Sequence, residues 1–180
     1  MAAVESHAAG NGHRAAPADP NLGVDIRSLI PKLGLREYWY PALLDKDVRT
    51  RKGTFLKLLG DKLLAFRGKS GNVVIVPNAC PHRGAMLDHG SCTFPGFITC
   101  FYHGFTFDEH GECVAALGEG PQSPMVGKIR AKVYPTITLK GVVFVWMGNG
   151  EPTEPVHGIP EDFFDPAVTV MSWINHWNAP

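Results

Sequence analysis

Two short knuckles in this chain mix cysteine with histidine: Cys80-Pro-His82 and Cys100-Phe-Tyr-His103, with residues 83–99 between them. Each is followed closely by a glycine, Gly84 and Gly104. Soft and borderline donors placed this way converge only if two loops are held face to face by a stiff frame. Strand ends supply such a frame, and the rest of the sequence agrees. With 20 Gly and 15 Pro in 180 residues, a turn-rich β fold is favoured over a helix bundle. Short apolar runs bounded by turn residues recur: Thr54-Phe-Leu-Lys-Leu-Leu, Leu63-Leu-Ala-Phe-Arg, Val73-Val-Ile-Val, Phe97-Ile-Thr-Cys, Phe105-Thr-Phe and Val142-Val-Phe-Val-Trp-Met. Gly60-Asp-Lys62 reads as a hairpin turn between the first two, and Asp108-Glu-His-Gly111 as a turn. These runs predict a mainly β domain of antiparallel sheets over 38–150.

Outside that block the patterns change. Residues 1–24 are rich in Ala, Gly, Pro and His and read as a disordered tail. Residues 25–37 form a lead-in in which 25–34 can hold a short helix ended by Pro31 and Gly34. Residues 148–160 are rich in Gly, Pro and Glu, a linker, and 168–178 read as a new strand. Lys+Arg and Asp+Glu are 17 each, a balance that asks for no nucleic acid or anionic membrane. No run approaches a membrane span, and no apolar export signal opens the chain. It is therefore expected to be cytoplasmic, and its four cysteines to be metal ligands or free thiols.

Three readings of Cys80, His82, Cys100 and His103 compete. In a Rieske [2Fe-2S] cluster two thiolates hold one iron and two imidazoles the other, which needs one Cys and one His from each loop. A structural zinc ion accepts the same four donors, but zinc knuckles usually pair Cys with Cys and His with His. Two surface thiols and two turn histidines with no metal would require the matched knuckles to be coincidence. The mixed pairing favours the cluster.

The segments Cys80-Pro-His-Arg-Gly-Ala and Cys100-Phe-Tyr-His-Gly-Phe-Thr-Phe-Asp closely resemble the N-terminal domain of Rieske non-haem iron oxygenases, the terminal oxygenase components (alpha subunits) of ring-hydroxylating systems. The likeness covers about residues 35–150. Phe101 and Phe105 stand where the family commonly has Pro and Trp, both apolar exchanges. The segments Leu33-Gly-Leu-Arg-Glu-Tyr-Trp-Tyr-Pro-Ala and Leu56-Lys-Leu-Leu-Gly are similar to the homotrimeric subgroup that includes carbazole dioxygenase. The resemblance implies that Cys80 and Cys100 hold the inner iron and His82 and His103 the outer one. It also implies a ferredoxin or reductase as electron donor, and a parent that adds oxygen to an organic, aromatic substrate as a mono- or dioxygenase. Respiratory Rieske proteins add a cysteine beside each ligand pair and a serine hydroxyl near a cluster sulfur. Here Arg83 to Ala85, Phe101 and Phe105 occupy those neighbourhoods, and fewer donors to the sulfurs favour a low potential, toward about −150 mV.

Cys92 and Cys113 read as small buried residues, His89 and His110 as solvated, His7 and His13 as tail, and His157 as linker. The family activates dioxygen at a separate mononuclear iron held by two His and a carboxylate. Residues 151–180 supply only His157, Glu161 and His176, and His176-Trp-Asn resembles the strand that opens the family's α+β catalytic domain. The chain is thus expected to hold the electron-transfer half, followed by a truncated catalytic domain, and to be inactive alone. A stand-alone Rieske ferredoxin is the alternative. The lead-in through Tyr40 and residues 161–180 argue against it, since a minimal carrier needs neither.

Overall fold

The computed structural model describes residue 23 and residues 25–29, 35–152 and 159–175. The chain divides into two compact units, residues 1–34 and 35–180. In the first, the helix expected over 25–34 is one turn, α1 (Ile26–Leu29). Asp25 starts it: its Oδ1 accepts from the Arg27 N–H at 3.0 Å and its carbonyl from the Ser28 hydroxyl at 2.7 Å. Residues 30–34, and the expected tail apart from Gly23, lie outside the described residues.

The second unit is built on strands β1 (Trp39–Leu44), β2 (Thr54–Leu58), β3 (Asp61–Arg67), β4 (Val73–Pro77), β5 (Ile98–Thr99), β6 (Phe105–Phe107), β7 (Cys113–Ala116), β8 (Thr136–Leu139) and β9 (Val142–Trp146). They form three antiparallel three-stranded sheets, ordered β1-β9-β8, β2-β3-β4 and β5-β6-β7. The middle sheet explains the two longest apolar runs. Successive side chains of a strand point to opposite faces, and here both faces are covered. Leu64, Phe66, Val74 and Val76 enter one core with Phe105 and Phe107 of the β5-β6-β7 sheet. Leu63, Ala65, Val73 and Ile75 enter the other with Val143 and Val145 of the β1-β9-β8 sheet. A strand buried on both sides has no polar face, so β3 and β4 read as continuous hydrophobic stretches.

Two hairpins share one device. Leu59 and Gly60 both take positive φ, +49° and +86°, as do Lys140 and Gly141 at +48° and +78°. Positive φ at both central residues is the I′ pattern, whose twist matches the flanking strands. The first turn therefore lies at Leu59-Gly60 and not at Gly60-Asp61-Lys62: Leu58 pairs with Asp61, which already belongs to β3. The Arg36 guanidinium grips this turn, at 2.5 Å from Asp61 and 3.1 Å from the Leu59 carbonyl. The Glu37 carboxylate accepts from the N–H groups of Asn149 and Gly150 at 3.0 and 3.3 Å, which ties the entry of the sheeted unit to its exit.

The expected strand over 168–178 does not form in its described part. Residues 168–175 carry no ladder; Met171 is 82% exposed and Trp173 71%. A β-rich sequence becomes a strand only beside a neighbour that accepts its hydrogen bonds. Here the Lys140 ammonium holds the segment's beginning through the Asp165 and Val168 carbonyls, both at 2.7 Å. Residues 176–180 lie outside the described residues.

Candidate metal centre

The first knuckle follows β4. The Asn78 side-chain carbonyl accepts from the Asp88 N–H at 2.8 Å, which joins the end of that strand to the far end of the loop. The second knuckle is the β5–β6 connection, steadied by the buried Thr99 and Thr106 hydroxyls at 3.0 Å.

The two loops have the same backbone frame. Cys80 N–H donates to Ala85 O at 2.8 Å and Gly84 N–H to Cys80 O at 2.7 Å. Cys100 N–H donates to Phe105 O at 2.8 Å and Gly104 N–H to Cys100 O at 3.0 Å. Each glycine lies four residues after its cysteine with nearly the same left-handed φ, +71° at Gly84 and +69° at Gly104. That conformation suits glycine because it has no Cβ to clash. The different histidine spacings, two residues after Cys80 and three after Cys100, thus hang on one repeated turn.

Cys80 and Cys100 are buried members of one hydrophobic core, 3% and 2% exposed. His82 and His103 are half-buried, and their rings meet edge-on with centroids 5.0 Å apart and planes inclined at 68°. Burial pushes the Cys80 thiol up to about 11, and the neighbouring Cys100 adds to the rise. The backbone N–H groups of His82 and Arg83 oppose it by donating to the Cys80 sulfur. Assembly of a metal site must displace such held protons, because thiolate is the ligand.

The donors are therefore grouped as a buried sulfur pair and an outer imidazole pair. Among the described residues no three His, Cys, Asp or Glu side chains are arranged to hold one ion. A sulfur pair inside the core and an imidazole pair at its edge suit a group with two metal positions, one for each donor type.

The rings continue outward from the site. Phe105 is fully buried and stacks on His82 at 4.3 Å. Tyr102 lies on His103 at 3.9 Å, Phe101 is 6.2 Å from Tyr102, and His89 is 5.8 Å from Phe101. His89 is well exposed, as expected, but its place at the end of this row was not foreseen. His110 is exposed in the expected turn, which Asp108 holds by accepting from His110 and Glu112 N–H groups at 2.9 and 2.8 Å. Cys92 and Cys113 are buried free thiols. His7, His13, His157 and His176 lie outside the described residues.

Residues 38–135 match the family described as Rieske [2Fe-2S] domain. The chain belongs to the Rieske [2Fe-2S] domain family. This Rieske chain is 37% identical over 136 residues to the terminal oxygenase component of carbazole 1,9a-dioxygenase from Sphingomonas sp, covering 74% of this chain and 35% of that protein. The solved terminal oxygenase of carbazole 1,9a-dioxygenase from Nocardioides aromaticivorans IC177 superposes with a TM-score of 0.69 at 36% identity, over 78% of this chain and 38% of that one. A solved reduced complex between oxygenase and ferredoxin in carbazole 1,9a-dioxygenase matches with a TM-score of 0.65 at 34% identity, over 74% of this chain and 34% of that one. The chain spans about a third of the length of the curated relatives it matches. No helix among the described residues is long and apolar enough to cross a membrane.

Proposed function

We propose that this chain is the electron-transfer part of a Rieske-type terminal oxygenase, with Cys80 and Cys100 holding one iron of a [2Fe-2S] cluster and His82 and His103 the other. The observation that carries the reading is the repeated loop frame, which sets two sulfurs inside the core and two imidazoles at its edge. When bound, the cluster supplies a one-electron couple. The protein's part is then to keep water from the sulfurs, to steady the Cys80 thiolate with the His82 and Arg83 N–H groups, and to present the imidazole edge to partners. Phe105, beside His82, brings bulk and no hydrogen bond, which favours a potential low in the Rieske range.

In the whole protein, a mononuclear non-haem iron in a further domain would receive the electrons and use dioxygen on an organic, aromatic substrate. A ferredoxin would deliver them, with a reductase behind it, and the parent would be a cytoplasmic homotrimer. The relatives' names, dioxygenase terminal components and an oxygenase–ferredoxin complex, support the oxygenase and ferredoxin parts of this reading.

The ligand assignment is tested by anaerobic purification with iron supplied. Iron and labile sulfide are expected at about two each per chain. His103→Cys should lose the Rieske spectrum, while His89→Ala and His110→Ala keep it. Zinc in place of iron, or cluster loss in His89→Ala with retention in His103→Ala, would refute the assignment.

A further inference from the structure

The two knuckles share one internal frame but are fastened to the rest of the chain in different ways. The second is held from outside by Leu117 and Gly118, which directly follow β7. The Leu117 N–H donates to Gly104 O and the Gly118 N–H to His103 O, both at 3.1 Å. The Thr106 hydroxyl reaches the same Gly104 carbonyl at 3.3 Å. The approach is close as well as bonded: a Cβ on Gly118 would meet His103 O at 2.9 Å, so only glycine lets this segment lie against the backbone of the ligand itself. The first knuckle has no such support. Among the described residues, no main-chain hydrogen bond joins residues 81–86 to anything beyond their own loop. Its ends are clamped by one bond, from the Asp88 N–H to the Asn78 side-chain carbonyl at 2.8 Å. The buried Asn78 Nδ2 and Asp88 Oδ1 have no partner among the described residues, so that clamp is not doubled. Across the site, the His82 ring meets Phe105 at 4.3 Å and His103 at 5.0 Å, both on the side of the second knuckle.

From this asymmetry we propose that the metal centre is built as a fixed shelf and a closing flap. The Cys100–His103 knuckle stands in its final place before metal is bound, positioned by Leu117 and Gly118. The Cys80–His82 knuckle opens about Asn78 and Asp88 and closes once the cluster is seated. The inference rests on the ligand assignment above. A segment opens locally at a free energy set by the contacts it must break outside itself. Opening the second knuckle breaks three such hydrogen bonds, whereas opening the first breaks the Asn78 clamp and the ring contacts of His82. Leu117 and Gly118 are therefore positioning residues, acting on the His103 imidazole only through the backbone of its loop. When an assembled cluster is taken up, each cysteine releases its proton to water as its sulfur binds iron, and each histidine binds through a ring nitrogen. No electron is exchanged, and the flap is then held down by its own two ligands.

The test compares two matched amides by hydrogen exchange at single-residue resolution. The N–H groups of Gly84 and Gly104 each donate to the cysteine carbonyl of their own loop, so their rates, corrected for intrinsic exchange, report how often each loop opens. In the full chain freed of its cluster by an anaerobic chelator, Gly84 should exchange about tenfold or more faster than Gly104. In the loaded chain Gly84 should slow by about tenfold or more, and Gly104 by less than about threefold. Gly118→Ala should bring Gly104 up to the Gly84 rate in the cluster-free chain and leave Gly84 unchanged. Asn78→Ala should speed Gly84 alone, and the loaded variant should release its cluster to a chelator about tenfold sooner. A general loss of stability would instead speed both amides together in either variant, and would refute the roles given to Gly118 and Asn78. Equal rates for the two glycines in the cluster-free wild type, or a faster Gly104, overturn the proposal. So does free exchange of the β3 and β4 amides in that chain, since no shelf then stands. Failure to take up iron and sulfide at all would sink the ligand assignment itself.

Discussion

A Cβ placed on Gly104 would meet Leu117 Cβ at 2.6 Å, whereas one on Gly84 meets nothing within 4 Å, although both residues hold the same left-handed φ. The pair separates backbone strain from crowding within one repeated turn. Gly84→Ala should keep the cluster and lose about 1–2 kcal/mol, the cost of a left-handed alanine. Gly104→Ala should lose more and load less iron, since Leu117 and the hydrogen bond from its N–H to Gly104 O must give way. Urea midpoints and iron per chain measure both; equal losses would show that Leu117 moves freely. Cys92 offers a second check. Burial pushes its thiol up to about 11, so the folded protein keeps a proton that the unfolded chain releases near the ordinary thiol value. Its contribution to stability is complete below that value and is lost as pH rises toward about 11. Cys92→Ser should flatten the fall of the urea midpoint across this alkaline window. At this scale the four ligand candidates were legible because their donor types recur at an unusual mixed spacing. The row from His89 to Tyr102 was not, because 12 positions separate His89 from Phe101 and no periodic pattern joins them.

Each of the two I′ hairpins places a residue with a full side chain at positive φ, Leu59 in one and Lys140 in the other. Leucine has no local hydrogen bond to offset that conformation, and asparagine does. Leu59→Asn should therefore raise the urea midpoint, by about 0.5–1 kcal/mol, and Leu59→Ile should lower it. Little burial is lost, since Leu59 is partly exposed and Arg36 holds its carbonyl rather than its side chain. The turn was read one residue late from the sequence for the same reason: Gly60-Asp61-Lys62 has the commoner turn residues, and a left-handed leucine leaves no signal. β3 and β4 were legible because burial on both faces writes an unbroken apolar run. β7 and β8 were missed because each is four residues long and half its positions or fewer are buried. Residues 168–175 misled in the opposite direction. Their β-branched and aromatic content satisfies strand propensity, but no ladder partner is present, and pairing decides.

At the scale of the molecule, three small sheets divide the labour. The β1-β9-β8 and β2-β3-β4 sheets enclose one core, and the second core joins the middle sheet to the β5-β6-β7 sheet, which carries the second knuckle, and contains both Cys80 and Cys100. The sulfurs are thus set by packing, while the histidines lie at the edge where a partner can approach. The sequence has eight histidines. His82 and His103 are the proposed cluster ligands, His89 and His110 stand exposed on separate loops, and His7, His13, His157 and His176 fall toward the two ends of the sequence. A mononuclear iron site needs two imidazoles and a carboxylate on one face, with positions left open for oxygen. His157 and Glu161 supply at most one of each, and the only histidine beyond them is His176. Loaded with its cluster, the 180-residue chain should accept one electron from reduced ferredoxin and incorporate no oxygen into any substrate. The measurement supplies NADH, reductase, ferredoxin, ferrous iron and a panel of aromatic substrates under labelled dioxygen, with products read by mass spectrometry. Label in a product above the no-protein background, and undiminished by catalase, would mean that residues of this chain assemble an oxygen-activating site without the remaining two-thirds of the length its relatives possess.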